Sequence, residues 1–223
     1  MKLILFDVDG TLVDSQHHIH AAMRHAFDAE GVPSPDLAQV RGIVGLSLPQ
    51  AMAALAPDLP RDRQMRLVEG YRGAFMGIRH QKEALLYDGA AACVAQFSGR
   101  DDLLLGIATG KSRRGLHAMI AHHGFTGTFT TLQCADDHPS KPDPAMILTA
   151  MAEVGAAPEA TVMIGDTSFD MAMARAAGVH ALGVGWGYHP PGALREAGAA
   201  VVAENFPALT ERLENWTTSG ALA

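Results

Sequence analysis

The chain has 223 residues, 48% of them hydrophobic, 18% charged and 6% aromatic, which are the proportions of a folded globular protein and exclude disordered or fibrous classes. Twenty-four acidic against 17 basic residues leave a net charge of −7, with no basic stripe of the kind that sequence-independent nucleic-acid binding requires. No apolar run reaches the roughly 18–20 residues of a membrane span.

The opening run Met1–Phe6 is cut off by Asp7 and Asp9 before a signal-peptide core can form. Cys93 and Cys134 are too few and too isolated for a disulfide framework or a zinc site. The expectation is a reduced, cytoplasmic protein that binds neither nucleic acid nor membrane, as a monomer or homodimer.

Short Val/Ile/Leu-rich runs alternate with segments of helical period. That pattern predicts an α/β fold, a Rossmann-like and mainly parallel sheet with helices on both faces. Strands are expected at Lys2–Phe6, Leu103–Ala108, Thr128–Leu132, Thr161–Ile164, Ala181–Val184 and Ala199–Val202. Helices are expected at Ala90–Phe97, Arg113–His123, Pro144–Val154, Phe169–Ala177 and Pro207–Trp216, with a loose tail from Thr217.

About a hundred residues separate the first two strands, far more than the roughly 30 of a βαβ unit. They carry helical patterns at His17–Glu30, Leu48–Leu55 and Arg61–Ile78, broken by prolines. An all-helical cap domain over residues 15–85 is therefore expected as an insert. It would divide a catalytic core of residues 1–14 and 86–223, through connectors near Asp14 and Tyr87–Gly89.

The chemistry concentrates where strands end. In open α/β sheets ligands gather at the carboxyl ends of strands. The first strand runs into Asp7-Val8-Asp9-Gly10-Thr11 and the second into Thr109-Gly110. The fourth ends in Gly165-Asp166-Thr167-Ser168-Phe169-Asp170, and Ser140-Lys141-Pro142-Asp143-Pro144 presents one of only four lysines beside a helix start. Two of the pieces have a local explanation as well: an Asx turn for Asp7–Thr11 and a solvated surface lysine for Lys141.

Four carboxylates on one site would repel by about 4 kcal/mol per pair at 4 Å and an effective dielectric near 20. A hard divalent cation such as Mg²⁺, sharing its shell with carboxylates and phosphate oxygens, removes that difficulty.

Taken together and in this order, the four motifs resemble the haloacid-dehalogenase superfamily of phosphotransferases. The helical insert and Leu182-Gly183-Val184-Gly185-Trp186-Gly187-Tyr188 are similar to its phosphoglycolate phosphatase-like branch. The resemblance implies that Asp7 attacks phosphorus and that Asp9 serves as acid and then as base. Asp7, the Asp9 carbonyl and Asp166 would hold Mg²⁺, with Asp170 a ligand or a partner of one.

By the same resemblance Thr109, Gly110 and Lys141 would bind the phosphoryl group, with Gly10 and Thr11 beside them, Thr11 orienting Asp9 and Lys141 bridging to Asp7. Arg41 in the cap becomes a candidate for a substrate carboxylate or phosphate. The implied activity is hydrolysis of a small phosphorylated metabolite such as 2-phosphoglycolate.

Asp9 argues against a dehalogenase, and Thr11 leans against a mutase. A phosphonoacetaldehyde hydrolase would need a cap lysine, for which only Lys82 is present. Sugar-phosphate phosphatase, nucleotidase, β-phosphoglucomutase-like mutase and non-catalytic binding module remain the alternatives.

Other features look like decoys. Gly106–Ser112 is one residue short of a phosphate-binding G-x-x-x-x-G-K-[ST] loop and overlaps a strand, so Lys111 is set aside with it. Gly183–Gly187 reads as a loop at the edge of the site, with no clear helix after it. The trio His17, His18 and His20 reads as solvated or as lying where cap meets core, and His122–His123 as a helix end that favours positive charge.

Overall fold

The structure, a computed structural model, describes residues 1–81, 83–220 and 222; Lys82 lies outside them. In chain order, β1 (Lys2–Phe6) and the short β2 (Val13–Asp14) precede four helices, α1 (Gln16–Ala29), α2 (Leu37–Arg41), α3 (Leu48–Leu55) and α4 (Arg61–Gln81). Next come β3 (Leu85–Leu86), α5 (Ala90–Phe97), β4 (Leu103–Thr109), α6 (Arg113–His122), β5 (Thr131–Cys134) and α7 (Ala145–Val154). The chain closes with β6 (Thr161–Gly165), α8 (Ser168–Ala177), β7 (His180–Val184), α9 (Pro191–Ala197), β8 (Val201–Ala203) and α10 (Phe206–Ser219).

Six parallel strands form one sheet in the order β5-β4-β1-β6-β7-β8. The period-2 rule divides β1 between two cores. Ile4 and Phe6 join Phe97, Leu116, Leu213 and Trp216 on the face covered by α5, α6 and α10. Leu3 and Leu5 join Met146, Ile147, Met163 and Met171 on the face covered by α7 and α8. Coverage of both faces explains why these strands read as unbroken apolar runs.

Met119, Met146, Met151, Met163, Met171 and Met173 are all buried in these two clusters, filling space between helices and sheet. Phe6 pairs with Ile107 of β4 and Ile164 of β6, so the residues just past these three strands emerge side by side at one edge of the sheet.

The helices α1 to α4 fill the stretch between β2 and β3. Those two strands form an antiparallel ribbon, Val13 opposite Leu86 and Asp14 opposite Leu85. Ile19, Met23, Phe27, Val40, Met52, Leu67 and Val68 bury a third cluster, which Tyr188 from the loop after β7 joins. None of the described helices is long and apolar enough to cross a membrane.

Several expected boundaries shift, for local reasons. The strand expected at Thr128–Leu132 starts at Thr131, because Phe125 to Thr128 closes a turn through Gly127 in the left-handed region (φ +79°). The last strand is Val201–Ala203 rather than Ala199–Val202.

Two short helices escape the periodicity: α2, which Asp36 and Gln39 start with a capping box, and α9, which follows Pro190-Pro191 and so places a helix after the Gly183–Gly187 loop. The tail is helical to Ser219, and the Trp216 and Thr217 carbonyls accept hydrogen bonds from the Lys2 ammonium at 2.5 and 3.0 Å. At the end of α6, burial and the neighbouring His122 push the His123 imidazole below its ordinary pKa, while His122 stands as the basic residue of the last turn.

Candidate active site

A tight turn follows β1. The Leu12 and Val13 N–H groups both donate to the Val8 carbonyl, at 2.9 and 3.0 Å, which returns the chain and leaves Asp7 and Asp9 at the sheet edge. Gly10 is required twice over. Its φ is +88°, and a Cβ there would stand 2.2 Å from Asp166 Oδ2. The Thr11 hydroxyl donates to Asp166 Oδ1 at 2.9 Å, and the Tyr188 N–H donates to Asp166 Oδ2 at 2.9 Å.

Gly10 and Thr11, expected to meet phosphate, therefore brace Asp166. Thr11 does not orient Asp9 either, since a short turn aims its hydroxyl across the sheet at β6. The Gly183–Gly187 loop is likewise part of this brace: the Trp186 indole N–H donates to the Thr11 carbonyl at 3.1 Å, and a Cβ on Gly187 would meet Asp166 at 2.1 Å.

Lys141 is fully buried, with Nζ 2.9 Å from Asp7 Oδ1 and 2.5 Å from Asp170 Oδ1. Asp170 also closes the capping box of α8. Its Oδ2 accepts from the Thr167 N–H at 3.1 Å and the Thr167 hydroxyl at 2.6 Å. Both oxygens of Asp170 are thus engaged by protein donors, the geometry of a residue that positions Lys141.

Asp7, Asp166 and Asp170 offer oxygens that all lie within 4.8 Å of one another. Three buried carboxylates face one ammonium. Burial raises Asp7 to about 6, Lys141 pulling it down and Asp170 pushing it up. Burial again, reinforced by Asp170 and Asp7, holds Asp166 well above the usual carboxylate range. Burial works against the charge on Lys141, but its two carboxylate partners prevail and hold its pKa above the ordinary lysine value. An excess of buried negative charge with this spacing fits a hard divalent cation.

Asp9 is held separately. Its Oδ1 accepts from the Ser15 hydroxyl at 2.6 Å, and Lys111 Nζ reaches Oδ1 at 2.8 Å and Oδ2 at 2.7 Å. Lys111, set aside above with the phosphate-loop lookalike, therefore stands in the site. The lookalike itself is absent because β4 runs straight through Gly106 to Thr109.

Asp7, Asp9, Thr109, Gly110 and Lys111 border a cavity of about 820 Å³, roofed by Tyr71, Phe75 and the 43–48 loop. Arg41 is not on its wall; it points instead at Gln16 Oε1, donating from Nε at 2.9 Å and also from its terminal nitrogen. Arg72, Arg79 and Arg114 border the cavity in its place. The histidine trio lies off the wall too, with His20 against the Pro35 carbonyl at 3.2 Å. Both cysteines are buried, and burial pushes each thiol up to about 11, so neither supplies a thiolate.

The roof rests directly on the core. The Ser47 N–H donates to Ser140 Oγ at 2.7 Å, and a Cβ on Gly110 would stand 2.6 Å from the Gly45 carbonyl oxygen and 2.9 Å from that of Leu46. Because these are backbone atoms, they cannot rotate aside. Gly110→Ala is expected to lift the 43–48 loop off the site and lower kcat/KM about 100-fold, the scale of a one-ångström misplacement. Its melting temperature should stay near wild type. Steady-state kinetics alongside calorimetry would separate this from a folding defect.

A model of haloacid dehalogenase-like hydrolases matches residues 4–184. The chain is 34% identical over 208 residues to the probable phosphatase IndB of Dickeya dadantii (strain 3937), covering 92% of this chain and 90% of that one. It is 31% identical over 189 residues to the phosphoglycolate phosphatase of Cereibacter sphaeroides (strain ATCC 17029 / ATH 2.4.9), covering 80% and 83%. A crystal structure of a hydrolase from Pseudomonas syringae superposes with a TM-score of 0.86 at 27% identity, covering 96% of this chain and 99% of the other. The strand-end acids, the buried lysine between two of them and the helical insert after β1 thus have a common explanation: the chain belongs to the haloacid dehalogenase-like hydrolase family.

Proposed function

We propose that this protein is a Mg²⁺-dependent phosphatase that hydrolyses a small phosphorylated metabolite through an aspartyl-phosphate on Asp7. The observation that carries this reading is the buried Lys141 ammonium fixed between Asp7, which borders the cavity, and Asp170 behind it. In that position it keeps the Asp7 carboxylate ionised and oriented for attack, against a burial cost that would otherwise protonate it. The probable phosphatase and the phosphoglycolate phosphatase it resembles support the same reading.

In this reading residues 15–85 act as a cap that closes the cavity and excludes water. Asp9, at the cavity edge, gives a proton to the leaving oxygen and later takes one from the attacking water. The Thr109 hydroxyl, the Gly110 N–H and Lys141 hold the phosphoryl oxygens. Asp7, the Asp9 carbonyl and Asp166 would hold Mg²⁺, and Asp170 would act through Lys141. The cation, when bound, supplies positive charge to the phosphoryl oxygens and to the carboxylates around it. We place the protein in the cytoplasm, in keeping with its two reduced, buried cysteines.

The test is phosphate release from a panel of phosphoesters with and without Mg²⁺. Acid-quenched protein should carry one phosphoryl group on the peptide that contains Asp7. Mg²⁺ should also raise the melting temperature without substrate, by about 5–10 °C at ~100 times its Kd. The rise should be larger at pH 8 than at pH 5. Asp7 and Asp166 have raised pKa values in the fold, so their charge destabilises it increasingly as pH climbs through and above about 6. No release with any phosphoester, together with no thermal shift, would reject the assignment.

A further inference from the structure

We infer that Lys111 is a specificity residue: it recognises a second anionic group on the substrate and, by turning to that group, releases Asp9 for the reaction. The inference rests on the phosphatase reading above and deepens it by naming the side chain that would read the acidic group of a substrate such as 2-phosphoglycolate.

The geometry around Asp9 carries the argument. Its Oδ1 is taken by Ser15 and Lys111, and its Oδ2 by Lys111 at 2.7 Å. Both side chains of the ion pair are only 12% exposed. The ammonium also lies 5.4 Å from the ring centroid of Phe75, which stacks on Tyr71 at 5.5 Å, so the roof helix α4 covers it from the other side. Gly115 makes room for this path, since a Cβ there would press on Lys111 Cγ at 3.1 Å.

An oxygen that exchanges a proton with Asp9 must approach a carboxylate whose oxygens the ammonium already occupies. With hydrogen bonds of about 2.7 Å, the leaving oxygen and the Lys111 ammonium come within roughly 5 Å of each other. A carboxylate or second phosphate one or two carbons from the ester oxygen falls within the same reach. Such a group exchanges one charge-assisted partner of Lys111 for another and frees Asp9. A neutral substituent offers no such exchange and leaves the pair closed.

The other cations at the cavity are less well placed. Arg79 sits 3.6 Å from Glu83 and Arg72 pairs with Glu69 at 2.6 Å, while Arg114 is exposed and none of the three touches a catalytic acid.

The experiment compares kcat/KM for matched esters, 2-phosphoglycolate against 2-hydroxyethyl phosphate and 3-phosphoglycerate against glycerol 3-phosphate, with saturating Mg²⁺. The acid-to-neutral ratio is expected at roughly 10- to 100-fold for wild type, the range of a charged hydrogen bond. It should collapse towards one in Lys111→Met and recover in Lys111→Arg. Because the ratio is taken within one preparation, a loss of folded protein cancels from it. A wild-type ratio near one overturns the inference, as does a high ratio that persists in Lys111→Met. Failure of every ester in wild type, neutral ones included, would reject the phosphatase reading instead.

Discussion

Asp7→Asn is expected to lower kcat by at least about 10⁴-fold while leaving the metal-free fold as stable as wild type or more so. The two substitution effects have different origins. An amide of the same shape cannot form the acyl phosphate, so turnover through a covalent intermediate ends.

The stability effect follows from the sign of the pKa shift. Burial raises Asp7 to about 6, above its unfolded value near 3.8, so between those limits the folded state holds a proton that the unfolded state has lost. Its contribution to stability is therefore greatest at low pH and declines as pH rises through about 6. The variant, which carries no charge there, should gain on wild type across that window and keep the gain above it. Lys141 keeps its 2.5 Å contact with Asp170, so no ammonium is stranded. Calorimetry of both proteins from pH 4 to 8 in chelator, with steady-state kinetics in Mg²⁺, checks both halves. Retention of more than about one percent of activity would remove Asp7 as nucleophile.

The strand-end motifs were legible because their information is local. A buried apolar run that stops at an acid fixes both the strand and the edge where its side chain emerges, which places Asp7, Asp9, Thr109 and Asp166 from sequence spacing alone. Lys141 was legible for a similar reason, held beside a helix start by Pro142 and Pro144.

What spacing cannot report is which acid a neighbour serves. Gly10 and Thr11 adjoin Asp9 in sequence, yet both act on Asp166, 155 residues away from Thr11, because the turn after β1 faces β6. Arg41 sits in the expected cap segment, but the one-turn helix α2 aims it at Gln16 of α1. Lys111 was lost with a motif that failed on spacing. Its real signal was simpler, a rare lysine directly after a strand-end Thr-Gly. The ribbon of β2 and β3 has only two residues per strand, too few to leave any periodicity.

Lys141→Met should produce the largest combined loss. Methionine has nearly the stem length of lysine and leaves no appreciable cavity, so the change is one of charge. Wild type balances three buried carboxylates with this one ammonium. Removing one member of a buried ion pair costs about 3–5 kcal/mol, which in a chain of this length lowers the melting temperature by roughly 6–20 °C at neutral pH.

The folded pKa of Lys141 lies above its unfolded value near 10.5, so its contribution is fully present at every working pH and fails only as pH rises through that higher value. The pH dependence of the deficit must therefore come from the acids. Without Lys141 the Asp7 carboxyl loses the one influence that lowers its pKa and stays protonated to higher pH. The variant should be closest to wild type near pH 5 and furthest above pH 7. Mg²⁺ should recover part of the difference, since it replaces positive charge among the same oxygens.

Activity should fall by at least 10²–10³-fold even when Mg²⁺ restores the fold, because the charge proposed to hold the phosphoryl oxygens is gone. A Lys141→Met protein that melts like wild type at pH 8 in chelator would mean that the three acids already share protons in the folded state. In that case the ammonium would serve the reaction and not the fold.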